Sequence, residues 1–429
     1  MHAFTLSHRI PTFALGLGLI VPATSTRGNC ADSLASVPLT LTEALARVEA
    51  GHPWLRGRDI ETRLAEARVG GARAGPPGEV SLLAENIVGT GELRGAHGLE
   101  TTLLFSRALE SATRRSARVD VARGLNDAER LAWEERRRAL LAEAARRFIS
   151  VAAGQADYEI AKQAVALAAE TEAAARERME KAVSSRADVA RARHARVEAE
   201  IEAEHAEHVL LAARKGLAAL WNADSTDFEN VVADLDMLTP VESYEALVPR
   251  LADTPAQARF AALARWRRAQ ENLARAAAAR GQPRWAAGLR RVEVGDDWGF
   301  VLGLSFALPE RVLGEAHAAE SRAERERLEI EGEVARLDAR QLLFELYQEL
   351  GHARVENTAA REELIPASEA WLAGAEEGLR TGRFALRDVL EAQAALLEAR
   401  RHLLAAAAEY HLTLVAIESL LSAPATATP

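Results

Sequence analysis

The chain has 429 residues, of which 27% are charged and only 5% aromatic, with 27 glycines and 14 prolines. That bias toward Ala, Arg, Glu and Leu points to long helices and away from a globular α/β enzyme. The formal net charge is −10 with both signs interspersed, which gives no support for nucleic-acid binding, and the single cysteine, Cys30, excludes an intrachain disulfide.

The N-terminus carries His8 and Arg9, then IPTFALGLGLIVPA over residues 10–23. A weak basic region before an apolar run too short to span a bilayer reads as a signal peptide within 1–35. Cleavage follows Ala23 or Ala35. A lipid-anchored Cys30 is the alternative, although Arg27-Gly28-Asn29 is a poor lipobox. No later stretch of about 18 apolar residues is evident, so no transmembrane helix is expected. A membrane crossing would then have to be made by strands.

Residues 39–221 form a first repeat. A short helix, Thr42–Ala74, is interrupted at Gly51-His52-Pro53 and ends at Gly75-Pro76-Pro77-Gly78. Two strand-like segments follow, 79–88 and 100–106, joined by the Gly-rich GTGELRGAHG, which reads as an extracellular loop and not a nucleotide site. From Leu109 to Ala182 the pattern is helical and free of proline, a run of about 110 Å at 1.5 Å per residue. Helices that long need partners along their length, which implies coiled coils. Residues 222–241 are an acidic, turn-rich linker between halves.

Residues 242–421 repeat the order. A short helix, Glu242–Arg280, is interrupted near Pro249 and Pro255, and Gly281-Gln282-Pro283 ends it. Strands at 284–294 and 300–306 come next. In the latter Phe300, Leu302, Leu304 and Phe306 alternate with smaller residues, a period of two with one apolar face. A long helix from Val312 to Thr381 is broken once, at Pro366. Residues 422–429 read as a flexible tail.

The two halves share their packing register. Asp188-Val189 and Asp388-Val389 lie 200 residues apart, each after a helix break. Counting by sevens gives Val189, Arg196, Ala203, Leu210, Leu217 with Ala192, Ala199, Ala206, Ala213, Leu220. The second half gives Val389, Leu396, Leu403, Tyr410, Ile417 with Ala392, Ala399, Ala406, Thr413, Leu420. The expected fold is therefore mainly α with a small β part, internally duplicated as helix, β-hairpin, long helix, helix. Four strands cannot close a barrel, and open edges are not viable in lipid. Three copies would supply twelve strands, a closed outer-membrane barrel above a helical coiled-coil tunnel.

This organisation resembles the TolC family of outer-membrane efflux channels over roughly residues 39–421. The likeness is carried by ENIVGTGELRGAHGLETTLLFSRALE (85–110), GRFALRDVLEAQ (382–393) and AEYHLTLVAIESL (408–420), and leans toward the branch serving heavy-metal exporters of the resistance-nodulation-division type. The resemblance implies a homotrimer in outer-membrane lipid with a long periplasmic tunnel. It also implies two partners, a periplasmic adaptor (membrane-fusion) protein and an inner-membrane transporter that selects the cargo. Drug efflux and type I protein secretion are alternatives on the same fold, and a periplasmic coiled-coil adaptor without a barrel is an alternative of another class.

No catalytic constellation is present, and neither an enzyme activity nor a cofactor is expected. The resemblance assigns adaptor contact to the two helix breaks, at Val183, Ser184, Ser185 and Arg186 and at Gly382, Arg383, Phe384 and Ala385. It also assigns a periplasmic gate to Asp388 and Glu391, with Asp188 and Arg191 in the first half. Ser185 to Asp188 is a capping box, so Asp188 has a structural role, whereas Ala385 is a poor cap and leaves Asp388 unexplained by capping. Trp285 and Trp298 flank the second hairpin as candidate membrane-interface aromatics. His205 and His208, one turn apart, are weak metal candidates on a charged helix face, and no metal site is expected.

Overall fold

The computed structural model describes residues 38–93, 98–279, 281–308 and 310–421. The expected signal segment with Cys30, and the expected tail, lie outside the described residues. The order of elements follows from local signals. Thr40 and Glu43 form a reciprocal capping box that starts α1, Leu41–Gly51. A 3-10 turn at Leu55–Gly57 leads into α2, Arg58–Arg73. Then come β1, Gly78–Glu85, and β2, Glu100–Ala108. Ser111 caps α3, Ala112–Glu180, a single unbroken helix of 69 residues. A tight turn connects it to α4, Arg186–Ala218.

The second half opens with the single turn α5, Tyr244–Leu247, and a 3-10 segment, Val248–Asp253. It continues through α6, Pro255–Ala279, β3, Pro283–Val292, and β4, Asp297–Phe306. Next is α7, Arg311–Ala359, then a π-helical turn, Ala360–Leu364, and α8, Ile365–Arg380. The last element is α9, Leu386–Leu421. The break expected at Pro366 is this π turn. Proline has no N–H to give, and its ring crowds the carbonyl four residues back, here Glu362. The widened turn makes room, and Ile365 N–H bonds Ala360 O in the π pattern. The segments before, within and after the bulge have 49, 5 and 16 residues, 70 together, one more than α3.

The strands form one antiparallel sheet in the order β1-β2-β3-β4, so the two hairpins join through β2 and β3 and leave β1 and β4 as free edges. Among the helices, α3 packs along α2, α4, α6 and α9, α7 packs on α6 and α9, and α8 on α9. Side by side from the sheet end, the helices run α2, α3, α6, α7. Further from it they run α4, α3, α9, with α7 and then α8 against α9. Many of the heptad positions read from the sequence are buried, Ala192, Ala206, Leu210 and Leu217 on α4 and Val389, Ala392, Leu396, Ala399, Ala406, Tyr410, Thr413 and Ile417 on α9, whereas Val189, Arg196, Ala199, Ala203, Ala213, Leu403 and Leu420 are only half-buried. The linker covers their far ends. Val231 bridges to Leu39, His411 Nε2 meets Leu235 O at 3.1 Å, and Tyr410 Oη donates to Thr239 O.

One expectation needs correcting. α9 is long and apolar enough to cross a membrane by length and composition, with a mean hydropathy of 1.3 over its most apolar window. The reason is packing: its apolar residues fill the seams against α3, α7 and α8.

Candidate functional site

The sheet has two chemically distinct faces, set by register. On one face lie Val80 and Leu82 of β1, Leu103 and Phe105 of β2, Trp285, Ala287 and Leu289 of β3, and Trp298, Phe300, Leu302, Leu304 and Phe306 of β4. Most of these are large and exposed, Phe300 by 89% and Leu302 by 85%, while Trp285 and Ala287 are half-buried. The other face is polar and cross-linked. Arg284 donates to Glu79 (2.6 Å) and Ser106 (2.8 Å), and Arg290 to Thr102 (3.1 Å) and Glu100 (2.9 Å) with Glu85 at 3.4 Å. Alternating side chains give the strands one apolar face and one salt-bridged face. Both tryptophans fall on the apolar face, near its opposite ends. Trp285 meets Phe105 edge-on at 5.5 Å, and the Arg291 guanidinium sits 5.9 Å over Trp298.

The two helix breaks are at the other end of the molecule and are built alike. Each is a Schellman turn. In the first, Val183 N–H reaches Arg178 O (2.9 Å) and Ala182 N–H reaches Met179 O (2.9 Å). In the second, Arg383 N–H reaches Gly378 O (2.8 Å) and Gly382 N–H reaches Leu379 O (3.2 Å). The left-handed residue is Gly382 in one and Ala182, at φ 59°, in the other. Val183 and Phe384 project into solvent from the two turns.

The carboxylates after the breaks differ less than the sequence implied. Asp188 accepts from Ser185 N–H (3.0 Å), Ser185 Oγ (2.8 Å) and Ser184 Oγ (3.1 Å), and these bonds hold its carboxyl below the usual range. Arg191 lies 3.9 Å away. Asp388 accepts Ala385 N–H at 2.8 Å. It therefore supplies half of a capping box even though Ala385 has no side-chain oxygen to return the bond, and it does have a capping role. Arg387 reaches both acids, at 3.4 Å from Asp388 and 3.6 Å from Glu391, so neither acid is bare.

No family model matches the chain. It is 26% identical over 371 residues to the cobalt-zinc-cadmium resistance protein CzcC of Cupriavidus metallidurans, across 85% of this chain and 86% of that one. Its structure is similar to that of CusC, solved in a study of transmembrane channel formation, with a TM-score of 0.74 at 14% identity over 89% of this chain and 91% of that one. It is also similar to the outer membrane protein VceC of Vibrio cholerae, with a TM-score of 0.72 at 16% identity over 89% and 95%. The chain has the fold of the TolC-like outer-membrane channels.

Within this TolC-like fold the sequence-stated residues separate into three places. The tryptophans are on the sheet, the tip residues are at the far turns, and the histidines belong to neither. His205 and His208 lie on an exposed face of α4, and among the described residues no group of three or more His, Cys, Asp or Glu is placed to hold a metal. Sequence reading missed the buried polar ties between helices. Glu172 of α3 accepts from Arg196 of α4 at 2.6 Å, which holds its carboxyl below the usual range. Glu271 of α6 gathers Arg275, Arg322 and Arg325. Gln393 of α9 donates to Thr171 of α3 at 2.9 Å. The i,i+4 pairs Glu172–Arg176 and Glu271–Arg275 were visible as helix-face pairs, but nothing local marks them as the ones that are buried.

Proposed function

We propose that the chain is the outer-membrane exit duct of a tripartite efflux system, a homotrimer that carries heavy-metal cations out of the cell. The observation that carries this reading is the two-faced sheet with two free edges at the end of long paired helices. An apolar face suits lipid and a salt-bridged face suits a water-filled lumen, and the alternation is that of membrane β-barrels. Free edges in lipid are untenable, so each β4 pairs with the β1 of the next copy, and three copies close twelve strands. The helices below continue the barrel as a periplasmic tunnel. The repeated order of elements is an internal duplication that brings both tips of each protomer to one depth.

The tips receive a periplasmic adaptor, which couples the duct to an inner-membrane transporter of the resistance-nodulation-division type. Asp388 and Glu391, three copies each, ring the entrance. Their charge, partly offset by Arg387, favours cations through a narrow low-dielectric mouth. Heavy-metal cargo is favoured by the match to CzcC, a cobalt-zinc-cadmium resistance protein along most of both chains. The test is mass measurement in mild detergent together with complementation. The trimer should restore cobalt, zinc or cadmium tolerance to cells that hold the cognate pump and adaptor but lack a duct. Restored tolerance to organic toxicants alone would overturn the metal assignment, and a stable membrane-embedded monomer would overturn the duct.

A further inference from the structure

The apolar face of the sheet carries an arginine at each end, and the two are treated differently. Gly78, Arg107, Trp285 and Leu304 are paired across the four strands in one row, so Arg107 is the last residue of β2 on the apolar face, at the end where the helices begin. At the opposite end Arg291 lies on the same face, paired with Trp298. Arg291 is matched by two acids, Glu293 at 3.3 Å and Asp296 at 3.1 Å. Arg107 is exposed and has no carboxylate partner among the described residues; its Nε donates to Pro76 O at 3.2 Å.

A second guanidinium converges on the first. The point where a β-carbon on Gly75 would stand is 3.4 Å from Arg107 Nη2 and 3.6 Å from Arg115 Nη2. Arg115 comes from the first turn of α3, and Gly75 lies in the turn from α2 to β1. Arg118 closes the back of the same turn, donating to Ala72 O and Ala74 O. The carboxylate beside them is Glu110, whose side chain is fully buried, 2.5 Å from Arg118 and 3.4 Å from Arg115. Three guanidiniums thus share one carboxylate, and like charges held together repel unless an anion joins them.

The chemistry that fits is a phosphate. It brings negative charge and several acceptor oxygens, which suit the fork of Arg. The place selects its source. The stem of Arg107 stands on the apolar face next to Trp285, as a side chain does that lies along lipid chains and carries its head to the polar boundary. We infer that Arg107 and Arg115 hold the phosphate of an anionic glycerophospholipid at the Gly75 turn, with its acyl chains along the apolar face of the sheet. The site rests on reading the sheet as a membrane barrel. It adds an asymmetry to that reading: the helix-side end of the face takes an anionic headgroup, and the end at Arg291, already matched by acids, does not.

The experiment counts bound lipid by native mass spectrometry on the assembled full chain in a mild neutral detergent. The probes are phosphatidylglycerol, zwitterionic phosphatidylcholine and inorganic phosphate. Phosphatidylglycerol should be retained over phosphatidylcholine, and inorganic phosphate should not displace it. Arg107→Gln with Arg115→Gln should lower its affinity about tenfold or more. Arg115→Gln alone, which leaves the bond from Arg107 to Pro76 in place, should lower it partway. Gly75→Asp keeps both arginines but sets a carboxylate between them, and should act like the double variant. Arg291→Gln should change nothing. Displacement by inorganic phosphate would make this a site for free phosphate and overturn the lipid assignment. Full retention in the double variant and in Gly75→Asp, or equal loss in Arg291→Gln, would overturn the site while leaving the duct intact. A chain that does not insert in membranes would remove the duct and this site together.

Discussion

The ring of Phe384 lies over Gly378, in the space that a β-carbon at 378 would occupy. The backbone repeats the contact, with Phe384 N–H bonded to Gly378 O at 3.0 Å. The first tip has Arg178 and Ser184 at the matching positions and no such pairing. Phe384 is nonetheless half exposed, so one residue both closes the turn and presents an aromatic surface. Gly378→Ala should push the ring outward and loosen the second tip alone. Limited proteolysis should then cut near 381–385 sooner, and adaptor binding should weaken while trimer content is unchanged. An unchanged cleavage pattern would show that the ring adapts freely.

Ala182 holds a left-handed conformation that costs a non-glycine residue about 1 kcal/mol or more. Ala182→Gly should stabilise the first tip by about 0.5–1 kcal/mol, the relief of strain outweighing the added freedom of the unfolded chain. Hydrogen exchange at residues 178–189 should slow. Gly382→Ala should do the reverse at the second tip, where the positive φ is met by glycine.

Burial raises the Glu418 carboxyl above its ordinary value, with Arg250 opposing, and lowers the His411 imidazole, with the Leu235 carbonyl and Asp234 opposing. The two act in opposite directions on stability. A raised carboxyl favours the folded state below its unfolded value and loses that advantage as pH rises through the folded value. A lowered imidazole favours the fold above its unfolded value near 6.5 and loses that advantage as pH falls. Glu418→Gln should therefore raise the melting temperature at pH 8 and change little at pH 4. His411→Gln should flatten the loss of stability on going from pH 7 to pH 5. Melting curves of both variants across that range check the assignment.

Asp388 has two duties, charge and capping, which a truncation to alanine would confuse. Asp388→Asn keeps an oxygen for the Ala385 N–H and removes the charge, and Glu391→Gln removes the other. The double variant should keep tip stability and lose cation preference in planar bilayers. Asp388→Ala should also loosen the second tip, because the Ala385 N–H then loses its side-chain acceptor. Equal selectivity in wild type and the Asn/Gln double variant would move the charge filter to another level of the duct.

Neighbouring residues of β4 should respond in opposite ways to the same change. Leu302 lies on the apolar face and Val301 on the polar one. Leu302→Arg places a charge against lipid, at about 2–4 kcal/mol near the midplane, and should reduce outer-membrane insertion. Val301→Arg adds a lumen charge and should insert normally while shifting conductance. Similar insertion for both would show that the sheet does not face lipid.

What was legible in the sequence was whatever periodicity writes locally. The heptads through Leu210 and Ile417 gave α4 and α9 their buried seams, and the alternation from Phe300 to Phe306 gave β4 its apolar face. The strand boundaries moved by a few residues, as at Asn86, where a left-handed backbone ends β1 before the expected 88. The cap on Asp388 stayed hidden because the partner is a backbone N–H, which every residue has. The polar ties hid for a related reason: Glu271 and Arg322 are 51 residues apart, and only the pairing of α6 with α7 makes them neighbours.

The extra residue in the π turn acts as a phase shifter. Each added residue turns everything below it by about 100° about the helix axis. Above the bulge α7 packs first on α6 and then on α9, and beyond it α8 packs on α9. Without the inserted residue α8 would be turned by about 100° relative to the stripe with which α7 already meets α9, and would meet it with the wrong side chains. Pro366 removes that constraint by forcing the insertion at one fixed level. The upper and lower halves of the rod are thus free to change their side chains independently, since a substitution in α7 need not preserve the stripe that α8 uses. Removing one residue between 360 and 364 would couple them again.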